Sequence, residues 1–177
     1  MMKRGKFDGE RFSGKRGQIK LSFGMIFSIF LIIIFVSFAF YAIYKFLDIQ
    51  EGIEIGRFVD GVQHDVDKMW KSTQGSQVVE YRLAKDVEYV CFVDYSNPKA
   101  GSSEELYDHL KQNYYEYENL FFYPISSAGE LNAFEIKHID IQKMTKSQNP
   151  YCIESSDGKI EMTIKKNYGE ALVTITR

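Results

Sequence analysis

Leu21-SFGMIFSIFLIIIFVSFAFYAI-Tyr44 is a run of 24 residues without a charged side chain, and its length decides how the rest of the chain is organised. Wound as an α-helix it is about 36 Å long, against a bilayer hydrocarbon core of about 30 Å, so it spans with a modest tilt. A helix in a soluble core rarely stays apolar all the way round for this length, and the apolar region of a secretory signal is usually about 7 to 15 residues. The run therefore predicts a single transmembrane helix over residues 21–44.

The charges on either side of the run are unequal. Residues 1–20 carry Lys3, Arg4, Lys6, Arg11, Lys15, Arg16 and Lys20 against Asp8 and Glu10, an excess of +5, whereas residues 46–177 carry a net −8. The overall charge of −2 describes neither part. Basic residues collect on the cytoplasmic flank of a span, so this asymmetry places the N-terminus in the cytoplasm and the C-terminal part outside the cell membrane. The tail, rich in Gly, Lys and Arg, has too little apolar surface to fold alone. Its charge is accounted for by topology and by attraction to anionic membrane lipid, and nucleic acid is not an expected partner.

Beyond the span, apolar residues continue at helical spacing through Phe46, Ile49, Ile53, Phe58, Val62, Val66 and Met69 or Trp70, which predicts a helical extension to about residue 71. Gly52, Gly56 and Gly61 are expected to break or kink it, each costing up to about 1 kcal/mol relative to alanine. The polar cluster Lys71–Ser76 ends this extension and linker, residues 45–76, and the external domain follows over 77–177.

Strand signals dominate that domain. Gln77–Leu83 puts Val79, Tyr81 and Leu83 on one face, and Val87–Tyr95 is apolar on both faces, as a central strand carrying Cys91 would be. Ser102 with Glu105 reads as a capping box opening a second helix with the stripe Leu106, Leu110 and Tyr114. Leu120–Tyr123 and Ala133–Ile141 read as further strands, the latter with a bulge where its apolar phase shifts between Ile136 and Ile139. Asp157-Gly158 marks a tight turn into the alternating Ile160, Met162 and Ile164, and Asn167–Glu170 marks another into Ala171, Val173 and Ile175. The fold class that results is α+β: a long N-terminal transmembrane helix continuing into an external domain with a mainly antiparallel sheet and one further helix.

Candidate chemistry is sparse. The three histidines, His64, His109 and His138, do not stand with one another or with cysteine at metal-ligand spacing, so no metal or other cofactor is expected. Asp60 and His64 share a helix face, which suits a solvated contact better than a ligand pair. No phosphate loop, nucleophile elbow or kinase-like motif occurs, and no enzymatic activity is expected. Cys91 and Cys152 both fall in the exported part; either they form a disulfide closing a loop of about 60 residues, or they are two buried thiols. Asn-x-Ser/Thr does not occur. The aromatic run Tyr114-YEYENLFF-Tyr123 either packs the second helix onto the sheet or offers a contact surface for protein or sugar, and packing is the expectation. Trp70 is read the same way.

Arg16-Gly17-Gln18, immediately ahead of the apolar run, resembles the processing site of archaeal type IV pilin-like proteins, which carry class III signal peptides. The resemblance covers residues 15 to about 44. It implies that a prepilin-type peptidase cleaves after Gly17, leaving Gln18 as the new N-terminus of a helix that anchors the protein and often polymerises. Many members place a glutamate five residues into the mature chain, where this sequence has Ser22, and Lys20 between the site and the apolar run is a further departure. The whole chain is also similar to uncharacterised single-pass archaeal membrane proteins. Two roles remain open: a pilin-like structural subunit that self-associates, or a membrane-tethered module that binds other envelope proteins.

Overall fold

The computed structural model describes residues 23–129 and 131–177, and of residues 48, 49 and 51 it describes the backbone alone. The basic tail and the Gly17–Gln18 junction lie outside the described residues. The chain divides into two compact units, Met1–Ala42 and Ile43–Arg177. The arrangement is α+β, with a long apolar N-terminal helix followed by antiparallel sheets and short helices.

Helix α1 runs over Phe23–Lys71, 49 residues, through Gly52, Gly56 and Gly61 without the break expected there. Gly61 has a packing reason to lack a side chain: a Cβ on it would stand 3.2 Å from Cε1 of Tyr81. Among the residues of α1 in the second unit, the buried series is Ile55, Phe58, Val62, Val66 and Met69. These recur at three- and four-residue intervals and so form one apolar stripe. The buried stripe opens with Ile55, whereas Ile53 and Phe46, expected to belong to it, are exposed. The reason is angular: at about 100° per residue Ile55 lies in line with Phe58 and Val62, and Ile53 does not.

The stripe packs against two sheets. Strands β1 (Gly75–Arg82), β6 (Lys159–Lys166) and β7 (Thr174–Thr176) form a three-stranded antiparallel sheet in the order β1-β6-β7. Strands β2 (Tyr89–Phe92), β3 (Leu120–Tyr123), β4 (Ala133–Phe134) and β5 (Tyr151–Glu154) form a four-stranded sheet in the order β4-β3-β2-β5. The expected single sheet is therefore two. The Asp157-Gly158 turn lies where the chain passes from β5 in one sheet to β6 in the other. Both its residues take positive φ, 53° and 70°, as a two-residue type I′ turn requires.

Period-two alternation gives the four-stranded sheet two dry faces. Val90, Phe92, Leu120, Phe122 and Ile153 join the α1 stripe, along with Ile160, Met162, Ile164, Val173 and Ile175 of the other sheet. Cys91 and Phe121 point the opposite way, into a second cluster with Tyr107 and Leu110 of helix α2 (Glu104–Leu110). This arrangement explains why β2 reads as apolar on both faces.

Three local expectations are corrected. The α2 N-cap is Ser103 and makes no side-chain cap bond; the Ser102 hydroxyl instead accepts from Gln148 Nε2 at 3.0 Å, so the capping box does not form. Tyr114 lies beyond the helix in extended backbone, after a 3-10 turn at Lys111–Asn113. The expected strand Ala133–Ile141 stops at Phe134. Asn119 takes over from the backbone there: its side chain donates to Ile136 O at 2.9 Å and accepts from Ile136 N at 2.8 Å. His138 then adopts φ 66°, which turns the chain and accounts for the phase shift without a bulge. A short helix α3 (Ile141–Met144) follows, capped by the Asp140 carboxylate, which accepts from Lys143 N.

Candidate functional site

The most distinctive surface belongs to the N-terminal part of α1. From Phe23 to Leu47 its side chains are exposed, among them Phe30, Ile32, Ile33, Phe35 and Phe38, and the protein buries none of this stretch. Large side chains left bare on all sides of a helix are stable only in an apolar medium. The two serine hydroxyls among the described residues of the run are internally satisfied. Ser28 donates to Gly24 O and Ser37 to Ile33 O, each at 2.8 Å, so neither hydroxyl needs water, as a hydrocarbon setting demands. The helix is long and apolar enough to cross a membrane.

In the second unit, Cys91 and Cys152 are paired across adjacent strands β2 and β5, where they occupy directly opposed positions, and their sulfurs are bonded at 2.06 Å. Around the disulfide sits an aromatic group in which Tyr95 packs on Tyr107, Tyr114 and Phe121 at centroid distances of 4.9, 4.5 and 5.7 Å. Burial pushes the Tyr95 hydroxyl pKa up, and the neighbouring Tyr107 adds to the shift. The aromatic run divides its roles. Leu120, Phe121 and Phe122 are core, whereas Tyr115 and Tyr117 are 85% and 67% exposed. The loop that presents them is held by the Glu118 carboxylate, which accepts from the backbone N–H groups of Tyr115 and Glu116 at 3.0 Å each.

A second cluster ties the end of α1 to the turn at His138. Trp70 stacks on the His138 ring at 3.8 Å with an interplanar angle of 4°, and His138 Nδ1 is 2.9 Å from Asp67 Oδ1. Gln63 completes it by donating to Asp67 Oδ1 at 2.8 Å and accepting from Lys137 N at 2.8 Å. The bond to His138 outweighs burial and, with Gln63 and Lys71, holds the Asp67 carboxyl below its ordinary value. No local pattern marks this group, because Asp67 and His138 are 71 residues apart. Asp60 and His64 share a helix face, but no hydrogen bond or ion pair joins them among the described residues. His109 lies exposed on α2.

Carboxylates gather in one open cleft of about 470 Å³, lined in part by Glu80, Glu154, Asp157 and Glu161, with Lys159 and Arg177 interspersed. Lys159 donates to Glu80 at 2.9 Å. Among the described residues no group of three or more His, Cys, Asp or Glu is placed to hold a metal ion. No family model matches the chain, and no curated protein or solved structure matches it.

Proposed function

We propose that this chain is a single-pass, membrane-anchored surface protein acting as a pilin-like structural subunit. The observation that carries the reading is the uncovered apolar stretch Phe23–Leu47 on the same helix whose residues Ile55–Met69 form the spine of the head. A helix with one segment suited to lipid and another built into a β-rich head is what the resemblance at Arg16-Gly17-Gln18 implies. The basic excess before the span and the acidic balance after it favour a cytoplasmic tail and an external head. A cross-strand disulfide in the head accords with export to an oxidising compartment.

The second reading is a membrane-tethered interaction module for envelope proteins. It is favoured by Tyr115 and Tyr117, two aromatic side chains presented to solvent on a loop held by Glu118. Aromatic residues in that setting supply contact area at small entropic cost.

The intact mass of the protein purified from cells that also make a matching prepilin-type peptidase separates the two. A chain beginning at Gln18, and blocked from doing so by substitution of Gly17, supports the pilin-like subunit. A chain beginning at Met1 or Met2 overturns it in favour of the tethered module.

A further inference from the structure

We infer that the head docks on a second copy of itself, the outer face of α2 with the tyrosine-bearing loop after it in one copy meeting the outward face of α1 in the next. This docking deepens the reading of the chain as a self-associating subunit, and rests on it. All the residues concerned belong to the second unit. At about 100° per residue, Arg57, Asp60, His64, Lys68 and Lys71 fall on the side of α1 opposite the buried stripe of Ile55, Phe58, Val62 and Val66. All five are exposed, and three are cations against the single carboxylate of Asp60. The layer on the other side of the four-stranded sheet has the reverse balance. Over residues 104–117 the exposed carboxylates are Glu104, Glu105, Asp108 and Glu116, and Lys111 is the one exposed lysine or arginine. Tyr115 and Tyr117 stand out from the same stretch, on the loop that Glu118 holds.

The two faces look in opposite directions. Val90, Phe92 and Phe122 turn from the sheet toward the α1 stripe, whereas Cys91 and Phe121 turn toward α2, so a single copy can engage one neighbour through each face. Among the described residues, no ion pair within the head takes up Arg57, Lys68, Glu104 or Glu105. Each face therefore carries an excess charge that the other complements. Complementary charge sets partner choice and register, and a guanidinium or ammonium laid on an exposed tyrosine ring gains a cation–π contact as well. Because the two patches differ, the contact is heterologous and passes from copy to copy instead of closing as a two-fold dimer.

The test uses two full-length variants made in the same cells, one of them tagged. His64→Cys marks the middle of the α1 face and Gln112→Cys the junction between α2 and the tyrosine loop; both positions are exposed, and both changes leave the lysines, arginines, carboxylates and tyrosines in place. The native cysteines are bonded to each other and do not compete for a bismaleimide added to isolated membranes. The expected result is a crosslink between His64→Cys and Gln112→Cys copies and none between two copies of the same variant, with the linked fraction falling as salt is raised. Glu104→Lys with Glu105→Lys in the Gln112→Cys copy should lower that fraction by about tenfold, and adding Arg57→Glu with Lys68→Glu to the His64→Cys copy should restore it. Should a cysteine variant lose its cooperative unfolding transition, Asp60→Cys replaces His64→Cys and His109→Cys replaces Gln112→Cys, with the same expectation. Co-purification of the untagged copy with the tagged one reports association through any surface. Copies that co-purify without this crosslink, or that link like to like, overturn the docking faces and leave the subunit reading intact. Copies that neither co-purify nor crosslink overturn both.

Discussion

Asn149 is almost wholly buried, and its amide stands in for a missing stretch of backbone pairing. Its Nδ2 donates to Asp94 O at 2.8 Å, with Asn97 O and Pro98 O at 3.2 and 3.1 Å, while its Oδ1 accepts from Asp94 N at 3.1 Å. Asn149→Ala leaves these groups without a partner, and a lost buried hydrogen bond of this kind costs about 1 to 3 kcal/mol. Thermal unfolding of the full chain in detergent should show the drop in midpoint, and Asn149→Asp should not restore it because a carboxylate cannot donate. The Asp67–His138 contact gives a pH signature. Asp67 has its folded pKa depressed below 3.8, so its contribution to stability is present above 3.8 and is lost as pH falls through the lower folded value. Acidification through that range should lower the midpoint less in Asp67→Asn than in the parent, and equal losses would contradict the assignment. Neither device could be read from sequence. Asn149 is 55 residues from Asp94, whereas Asp157-Gly158 was legible because its left-handed requirement is local.

Elements whose signals lie within their own sequence were legible in proportion to their length. The extension of α1 to Lys71 and the strand β6 followed from periodicity, since a long apolar stripe or a strict alternation leaves one buried face. Strand β5 and helix α3 did not, because four-residue elements hold too few repeats to show a period. Their places are set instead by partners such as β2 and β7. Lys166 shows the same limit at the end of β6. The fourth inward position there is a lysine, 9% exposed, and its Nζ donates to Trp70 O at 2.6 Å and Ser72 O at 3.0 Å. A cation on the free carbonyls at a helix C-terminus satisfies acceptors that have no partner within the helix. Lys166→Met keeps the stem and removes these bonds, and should cost about 1.5 to 3 kcal/mol by the usual value of charge-assisted hydrogen bonds. A second element-scale outcome concerns Gly61. Tyr81 is pinned by its hydrogen bond to Asp65 at 2.6 Å and by edge packing on Phe58, so it has little room to yield to a new Cβ. Gly61→Ala should therefore lower the unfolding midpoint despite alanine's better helix propensity, and a raised midpoint would show that Tyr81 yields.

At the scale of the whole molecule, the α+β class and the apolar N-terminal helix were legible because one depends on the succession of patterns and the other on sheer length. The division into two sheets was not, since it turns on pairings between strands far apart in the chain. The disulfide holds the four-stranded sheet across a sequence separation of 61 residues, and closing a loop of that size is worth up to about 4 kcal/mol on the chain-entropy model. Reduction under native conditions, or Cys91→Ala with Cys152→Ala, should lower the unfolding midpoint of the head by a corresponding amount, and an unchanged midpoint would show that packing alone holds these strands. The central claim is that α1 anchors an external head, and protease treatment of intact cells expressing the full chain tests it most directly. The account predicts that the head is digested from outside while remaining with the membrane fraction in undigested cells. A head that is protected in intact cells, or that is released into the soluble fraction, would contradict it.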